Sequence, residues 1–287
     1  MSTGTTIAHL PQQQLRRVPV PLPPADEQRH IADLLEDHLS RLDAADAYLD
    51  VAQRRAPTLH DQILGSELAA TASEEVALDE LLTARLANGK SVPTQDGGFP
   101  VLRLTALRSG RVDLTERKAG AWSADNAAPF LVQRGDFLIA RGNGSLRLVG
   151  RGGLVIDDPD PVAYPDTLIR ARPNTSLVSP HFLALVWNAP AVRRQIENAA
   201  KTTAGIYKVN QKDLTAVKVP VPSLVDQERV VHAVTAARER LTRLTTEVSR
   251  SQVRGVALRR SLLNAAFAGH LTDASANTSR SEELMSA

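Results

Sequence analysis

One segment of this 287-residue chain occurs twice, and the two copies lie 199 positions apart. Residues 3–28 (TGTTIAHLPQQQLRRVPVPLPPADEQ) return as residues 202–227 (TTAGIYKVNQKDLTAVKVPVPSLVDQ), and each copy ends in a proline-rich run followed by a glutamine. An internal repeat constrains architecture because similar sequences fold into similar units. The chain is therefore expected to hold two equivalent structural positions, with a single unique block between them.

A long helical pattern follows each copy. The alternating prolines before Pro24 force an extended path, and Asp26 is a suitable N-cap for a helix that begins near Glu27. Apolar or small residues then recur at spacings of three and four, which is typical of a coiled-coil seam. In the first copy they are Leu35, His38, Leu42, Ala45, Leu49, Ala52, Ala56, Leu59 and Ile63. In the second they are Val234, Ala237, Leu241, Leu244, Val248, Ser251, Gly255, Leu258 and Leu262.

The residues between the helices show a different sequence pattern. Short apolar runs, each cut off by Gly, Asn, Asp or Pro, predict strands with tight turns. These runs are Val101–Leu104, Phe137–Ala140, Leu146–Val149, Leu154–Ile156 and Leu168–Arg172. Residues 180–200 predict one or two helices broken near Pro190, and Pro57 should kink or interrupt the first long helix. We therefore predict an α+β fold: one globular block of mixed β-structure with short helices, carried on two long antiparallel coiled-coil helices.

These patterns divide the chain into five parts. They are an extended proline-rich segment (1–26), a first spacer helix (27–70), the globular block (74–218), the second repeat copy with its helix (219–272) and a disordered tail (273–287). The chain has no cysteine, which excludes disulfides and fits a reducing compartment. We find no apolar run long enough for a membrane span and no signal peptide, so we expect a cytoplasmic protein.

Charge is distributed unevenly along the chain. Lysine and arginine outnumber aspartate and glutamate by 17 to 10 between residues 99 and 218, a local net charge of +7, whereas the whole chain carries +2. A basic block between acidic helices indicates a polyanionic partner, although arginines scattered over an ordinary domain surface would give the same count.

The doubled motif resembles the specificity subunit of type I restriction–modification systems. The resemblance rests on VPLPPADEQ at 20–28, VPVPSLVDQ at 219–227 and LLNAAFAGHL at 262–271. In the central block, GDFLIARGNG at 135–144 followed by Val149-Gly150 is similar to the strand and hairpin of that family's target recognition domains, and residues 202–206 are similar to the end of such a domain. The resemblance covers about residues 3–271.

The resemblance implies a non-catalytic subunit that recognises double-stranded DNA. Its helices would dock modification (methyltransferase) subunits, which bring S-adenosylmethionine, while this chain binds no cofactor itself, and a restriction subunit would join the complex. The family usually has two target recognition domains, whereas this chain shows one, with residues 1–26 as the remnant end of a first unit. It looks like a half-length form that reads one half-site, alone, as a homodimer or with a second specificity chain.

Two segments of the block hold the candidate DNA-binding residues. The first is the loop of Arg141, Asn143, Gly144, Ser145 and Arg147. Arginine pairs with guanine and asparagine with adenine in the major groove. Arginines elsewhere, such as Arg151 and Arg170, would contact phosphate. The alternative is a plain type I′ turn at Asn-Gly.

The second segment holds Thr202, Thr203, Tyr207 and Lys208, whose hydroxyl, aromatic and ammonium groups suit phosphate and base contacts. A strand end with a solvated lysine is the alternative here. The histidines show no metal-ligand spacing, and no Walker A or dinucleotide-binding pattern is present, so we expect no catalytic or metal-binding residue. A coiled-coil scaffold or regulatory fragment that binds modification subunits or dimerises, without sequence-specific DNA binding, is the competing function. A stand-alone nuclease has the least support.

Overall fold

The computed structural model describes residues 22–203 and 205–271. The extended segment expected before residue 22 and the tail expected from residue 273 lie outside these ranges. The described residues form two compact units, one of residues 22–56 with 242–271 and one of residues 57–241. In these ranges, no helix combines the length and the apolarity that crossing a membrane requires.

The fold contains two long helices and a mixed block of strands and short helices. In chain order the elements are α1 (Ala25–Ala69), β1 (Glu74–Ala77), β2 (Leu82–Asn88), β3 (Thr94–Leu102), β4 (Leu107–Arg108), β5 (Arg111–Val112), β6 (Arg117–Gly120), α2 (Ala124–Ala127), β7 (Phe137–Ala140), β8 (Gly142–Asn143), β9 (Gly152–Leu154), β10 (Leu168–Pro173), α3 (Pro180–Trp187), α4 (Pro190–Ala199), β11 (Lys201–Thr203), β12 (Ile206–Lys208), α5 (Gln211–Thr215), β13 (Lys218–Val221) and α6 (Leu224–Phe267). The expected α+β class is confirmed.

The helical unit is an antiparallel pair made of the N-terminal part of α1 and the C-terminal part of α6. Gln53 Nε2 donates to Ser249 Oγ over 3.2 Å. Gln252 Nε2 donates to Asp50 Oδ1 over 2.8 Å, and Arg259 pairs with Asp43. The residue numbers on α6 increase as those of their partners on α1 decrease, which shows that the two helices pack antiparallel. Helix α1 runs through position 57 without the predicted interruption.

Only half of the predicted seam lies between the helices. Every seventh position is half-buried or buried as predicted, at Leu35, Leu42, Leu49, Ala56 and Ile63 and at their counterparts in α6. Most of the intervening positions were predicted one residue too early, although Ala237 is half-buried as predicted. Those in α6 show it: Leu244 and Leu258 are exposed, while Thr245, Gln252 and Arg259 are half-buried. Long polar side chains take these places because they hydrogen-bond across the pair.

The block is organised around a six-stranded sheet in the order β2-β10-β7-β9-β5-β4. Strand β7 lies between β10 and β9 and is antiparallel to both, and all four of its residues are buried. A strand covered on both faces needs a continuous apolar run, which is what Phe137–Ala140 supplies. Helix α3 packs on one face, where the rings of Phe137 and Trp187 meet edge to face at 5.9 Å. Smaller sheets pair β1 with β13 and β3 with β6, and a third joins β11, β12 and β8 in that order.

The predicted strand Leu146–Val149 is wrong, and the strand predicted at Leu154–Ile156 is displaced, since β9 spans Gly152–Leu154. Residues Leu146–Leu148 form a 3₁₀ turn and not a strand. The run is largely apolar, yet Arg147 within it and Ser145 before it are exposed, and the backbone closes locally, with Leu148 N donating to Ser145 O. The break near Pro190 is confirmed, because Pro190 is the first residue of α4, where a proline needs no amide hydrogen bond.

The repeated glutamine makes the same local bond in both copies but is buried in only one. Gln227 is fully buried; its Nε2 donates to Pro222 O and Leu177 O, and its Oε1 accepts from Ser179 N. Gln28 donates to Pro23 O in the equivalent way but is exposed. The side chain of Gln227 therefore ties the start of α6 to the segment before α3.

Replacing Gln227 by alanine should destabilise the block. Gln227→Ala leaves the amide of Ser179 without its acceptor inside the protein, which should lower the free energy of unfolding by about 1–3 kcal/mol. Gln28→Ala is the matched control, and its exposed position should limit the loss to about 0.5 kcal/mol. Urea unfolding followed by circular dichroism measures both. Equal losses in the two variants would contradict the structural role of Gln227.

Replacement by alanine should change the stability of the protein at one glycine of the block and not at another. A Cβ on Gly152 would lie 2.0 Å from Phe137 Cζ and 2.8 Å from Trp187 Cδ1, so Gly152→Ala must displace core rings. Overpacking of this kind should cost about 1–3 kcal/mol. A Cβ on Gly144 meets no heavy atom within 4 Å, so Gly144→Ala should change stability by less than about 0.5 kcal/mol. Thermal unfolding of the two variants tests this difference.

Candidate nucleic-acid interface

The two predicted DNA-binding segments, far apart in the sequence, meet in one small sheet. Strand β12 lies between β11 and β8 and is antiparallel to both. Its Tyr207 stands opposite Asn143 on one side and Thr202 on the other. Lys208 stands opposite Gly142, and Thr203 pairs with Ile206 at the far end of the β11–β12 hairpin. The structure thus brings together residues that the sequence analysis had proposed separately.

The Asn143-Gly144 pair does not form the type I′ turn that the sequence allowed. Neither residue has a positive φ, which that turn requires at both positions. Instead, Asn143 is held in β8 by its pairing with β12, and its Oδ1 accepts a hydrogen bond of 3.0 Å from Ser145 N. The chain then leaves the sheet, and Gly144, Ser145 and Arg147 are exposed.

The loop that carries these residues is an excursion from the central sheet. Ala140 N donates to Arg151 O and Gly150 N donates to Ala140 O, each over 2.8 Å. Residues 141–149 therefore begin and end side by side. Arg141 lies at the start of the loop, where its amide donates to Thr167 O and its carbonyl accepts from Val209 N.

The far end of the loop rests on α3 and α4. Trp187 Nε1 donates to Gly150 O over 2.8 Å, and Arg193 Nη2 donates to Val149 O over 2.6 Å. The Asn188 side chain bonds both backbone groups of Gly152. These three residues were not predicted from the sequence. The available signal was weak: Arg193 is an arginine between Val192 and Ile196 on the apolar face of a helix.

All charged residues in the segments that form this sheet and loop are basic. Residues 141–151 and 201–212 contain no aspartate or glutamate, and together they carry six cationic side chains. Most of these are exposed; the six are Arg141, Arg147, Arg151, Lys201, Lys208 and Lys212. Positive charge without compensating carboxylates is what attracts a phosphate backbone.

The other predicted site residues differ in their exposure and contacts. Thr202 and Lys208 are exposed, whereas Tyr207 is half-buried and packs against the main hydrophobic core. The phosphate contact expected of Arg170 stays a prediction, and its guanidinium is engaged within the fold: Nη1 donates to Leu131 O, and the group lies over the Tyr164 ring. In the described part of the chain, no cluster of three His, Asp or Glu side chains is placed to hold a metal ion.

Comparison with known proteins gives a consistent family. A family model described as the type I restriction modification DNA specificity domain matches residues 1–46 and 72–250. The type I restriction enzyme EcoKI specificity subunit of Escherichia coli (strain K12) is 28% identical over 288 residues, covering 95% of this chain and 62% of that protein. The StySPI specificity subunit of Salmonella potsdam is 23% identical over 286 residues, with the same coverage of 95% and 62%.

Solved structures share the fold. A chain from a study of complex assembly and conformational transition of the type I R-M system superposes with a TM-score of 0.69 at 19% identity, covering 93% of this chain and 65% of that one. The HsdS subunit from Thermoanaerobacter tengcongensis gives a TM-score of 0.58 at 19% identity, covering 94% and 65%. This chain spans 62% of the length of the two curated relatives. Since the family model matches most of its residues, the chain belongs to the type I restriction modification DNA specificity domain family.

Proposed function

We propose that this chain is a DNA sequence-recognition subunit of a type I restriction–modification complex, and that its mixed block reads one half of a bipartite site. The observation that carries the proposal is the sheet of β11, β12 and β8 with its adjoining loop. It joins two basic, carboxylate-free segments and presents exposed polar side chains beside them. Family membership supports the same function.

The side chains of the sheet and loop have distinct roles in this proposal. Arg147, exposed on the turn, suits a bidentate contact with guanine O6 and N7. Asn143 Oδ1 is occupied by Ser145 N, which leaves the Asn143 amide nitrogen as a donor to a base edge. Lys208 and the Thr202 hydroxyl suit phosphate oxygens, which fix register without reading sequence. Arg141, Gly144, Ser145, Thr203 and Tyr207 complete the proposed surface.

The helical pair is proposed to dock the modification subunits. Several apolar side chains of α6 are exposed, including Leu244 at 62%, Val253 at 70%, Val256 at 66% and Leu258 at 51%. Exposed apolar side chains grouped along one helix are typical of a protein-binding surface. The modification subunits would bring S-adenosylmethionine and the methylation chemistry, and a restriction subunit would join them. This chain would be non-catalytic and located in the cytoplasm.

A second recognition domain is proposed to complete the bipartite site. Gln28 keeps the Pro23 bond that Gln227 makes to Pro222, yet it is exposed where Gln227 is buried against the segment before α3. A second copy of this chain or another specificity chain would supply the second half-site. The domain boundaries proposed from the sequence, with the recognition domain at 74–218, fit this arrangement.

Selection from a duplex DNA library tests the recognition function. The chain, in complex with its modification subunit, should enrich a defined sequence from duplexes with randomised positions. Arg147→Ala should relax the preference at one base position, because it removes a base contact. Lys208→Ala should weaken binding to all sequences and reduce the slope of log K against log salt by about 1.

Lys90→Ala, an exposed lysine outside the small sheet, is the control and should change neither property. Binding of the wild-type complex without any sequence preference would favour the scaffold function instead.

Charged substitutions on α6 test the docking surface. Leu244 and Leu258 lie two heptads apart and therefore on the same face of the helix. The double change Leu244→Asp and Leu258→Asp should raise the dissociation constant for the modification subunit about 10-fold or more, because it places charge in an apolar contact. Titration calorimetry measures the change. Ser261→Asp, at an exposed polar position of α6, should bind normally, and unchanged binding by the double variant would exclude this face.

A further inference from the structure

The backbone that ends the recognition loop has almost no freedom to move. Gly150 has a φ of +65°, and a Cβ there would lie 2.2 Å from Ile196 Cγ2. A Cβ on Gly152 would meet the Phe137 ring at 2.0 Å. Gly150 therefore packs against α4, and Gly152 against β7 and the end of α3, too closely for a residue with a Cβ.

Side chains of these helices also satisfy the polar backbone groups of this segment. Trp187 holds the carbonyl of Gly150, Arg193 holds the carbonyl of Val149, and Asn188 holds both backbone groups of Gly152. Because the contacts come from one helical hairpin, the direction in which the loop leaves the core is set by α3 and α4.

An arginine is unusual at the buried position of residue 193. Only 8% of the residue is exposed, and its Nη1 is buried without a hydrogen-bond partner in the structure. Its Nη2 is shared between Val149 O and Glu197 Oε1, the latter at 3.2 Å. Burial lowers the pKa of the guanidinium, and the Glu197 hydrogen bond opposes that shift. Burying a charge is costly unless hydrogen bonds compensate for the lost solvation. The bond from Arg193 Nη2 to Val149 O is the shortest of the hydrogen bonds that hold this segment.

The loop is consequently fixed at both ends. At its start, Gly142 and Asn143 pair with β12. At its end, Val149 and Gly150 are held by Arg193 and Trp187. The 3₁₀ turn Leu146–Leu148 between them carries the exposed Arg147, whose carbonyl accepts from Arg151 Nε over 2.9 Å.

We propose that Arg193 and Trp187 are positioning residues for DNA sequence recognition: buried beneath the loop and out of reach of DNA, they set the orientation of the turn that presents Arg147. This inference rests on the recognition function proposed above. It assigns part of the sequence preference to α3 and α4 through side chains that are buried.

Three variants test the inference in the complex with the modification subunit. Arg193→Met removes the bond to Val149 O while keeping an unbranched side chain. Trp187→Phe keeps an aromatic ring beside Phe137 but removes the donor to Gly150 O. Arg194→Met is the matched control, since Arg194 is the exposed neighbour on the same helix. The probes are the duplex enriched by the wild type from a randomised library and a scrambled duplex of the same composition.

The two buried variants should lose preference for the enriched duplex by about tenfold or more, while binding to the scrambled duplex and its salt dependence stay unchanged. A merely structural role would weaken binding to both duplexes equally. Arg194→Met should retain the wild-type preference. Should Arg193→Met fail to fold, Trp187→Phe decides the question with the same readout.

The outcomes separate the inference from the function on which it rests. A wild-type complex without sequence preference would overturn both. A wild-type complex with a preference that folded Arg193→Met or Trp187→Phe retains in full, or loses equally on both duplexes, would overturn the positioning role alone.

Discussion

The packing of Trp187 against Phe137 and Gly152 is the contact on which the rest of the block depends. The two rings meet edge to face at 5.9 Å, and both side chains are fully buried. The same indole also donates to Gly150 O, so one side chain joins the apolar core to the polar backbone of the loop. A residue that serves both purposes couples the position of the loop to the packing of the sheet. Disturbing the core at this point should therefore alter the loop, even though the loop itself is exposed.

The candidate interface is created by pairing between distant parts of the chain. Strand β8 has only two residues and would have little stability alone, because isolated short strands gain too few hydrogen bonds to offset their ordering. It is stabilised by β12, which belongs to the repeated segment just before α6. The repeat thus serves two purposes here: it leads into the helix, and its strand β12 is the central strand of the basic sheet.

The sequence predicts those features that depend on local physics. The fully apolar run Phe137–Ala140 is a buried strand, and Pro190 marks the break between α3 and α4. Every seventh seam position is also correct, because those residues are apolar in both copies. Most of the remaining seam positions are not, since exposed leucines and half-buried glutamine and arginine reverse the usual preference. Cross-helix hydrogen bonds decide that register, and no local pattern reveals which partner a side chain will meet.

The site shows the same division between local and distant effects. Both segments were found from composition and turn residues, but their meeting in one sheet depends on long-range pairing. That pairing also overrides the local preference of Asn143-Gly144 for a type I′ turn, because β12 holds Asn143 in an extended conformation. Arg193 was invisible for a related reason. A buried arginine is marked by the carbonyl it bonds, Val149 O, and that carbonyl lies 44 residues away in the chain.

The two repeated glutamines show how far an internal repeat determines structure. Both donate to the carbonyl five residues before them, at 2.7 Å for Gln28 and 2.9 Å for Gln227. This local bond forms whether the glutamine is exposed or buried, so it is a property of the repeated sequence. The bonds from Gln227 to Leu177 and Ser179 require the globular block. The orientation of this side chain is therefore set locally, and contact with the globular block adds the further bonds.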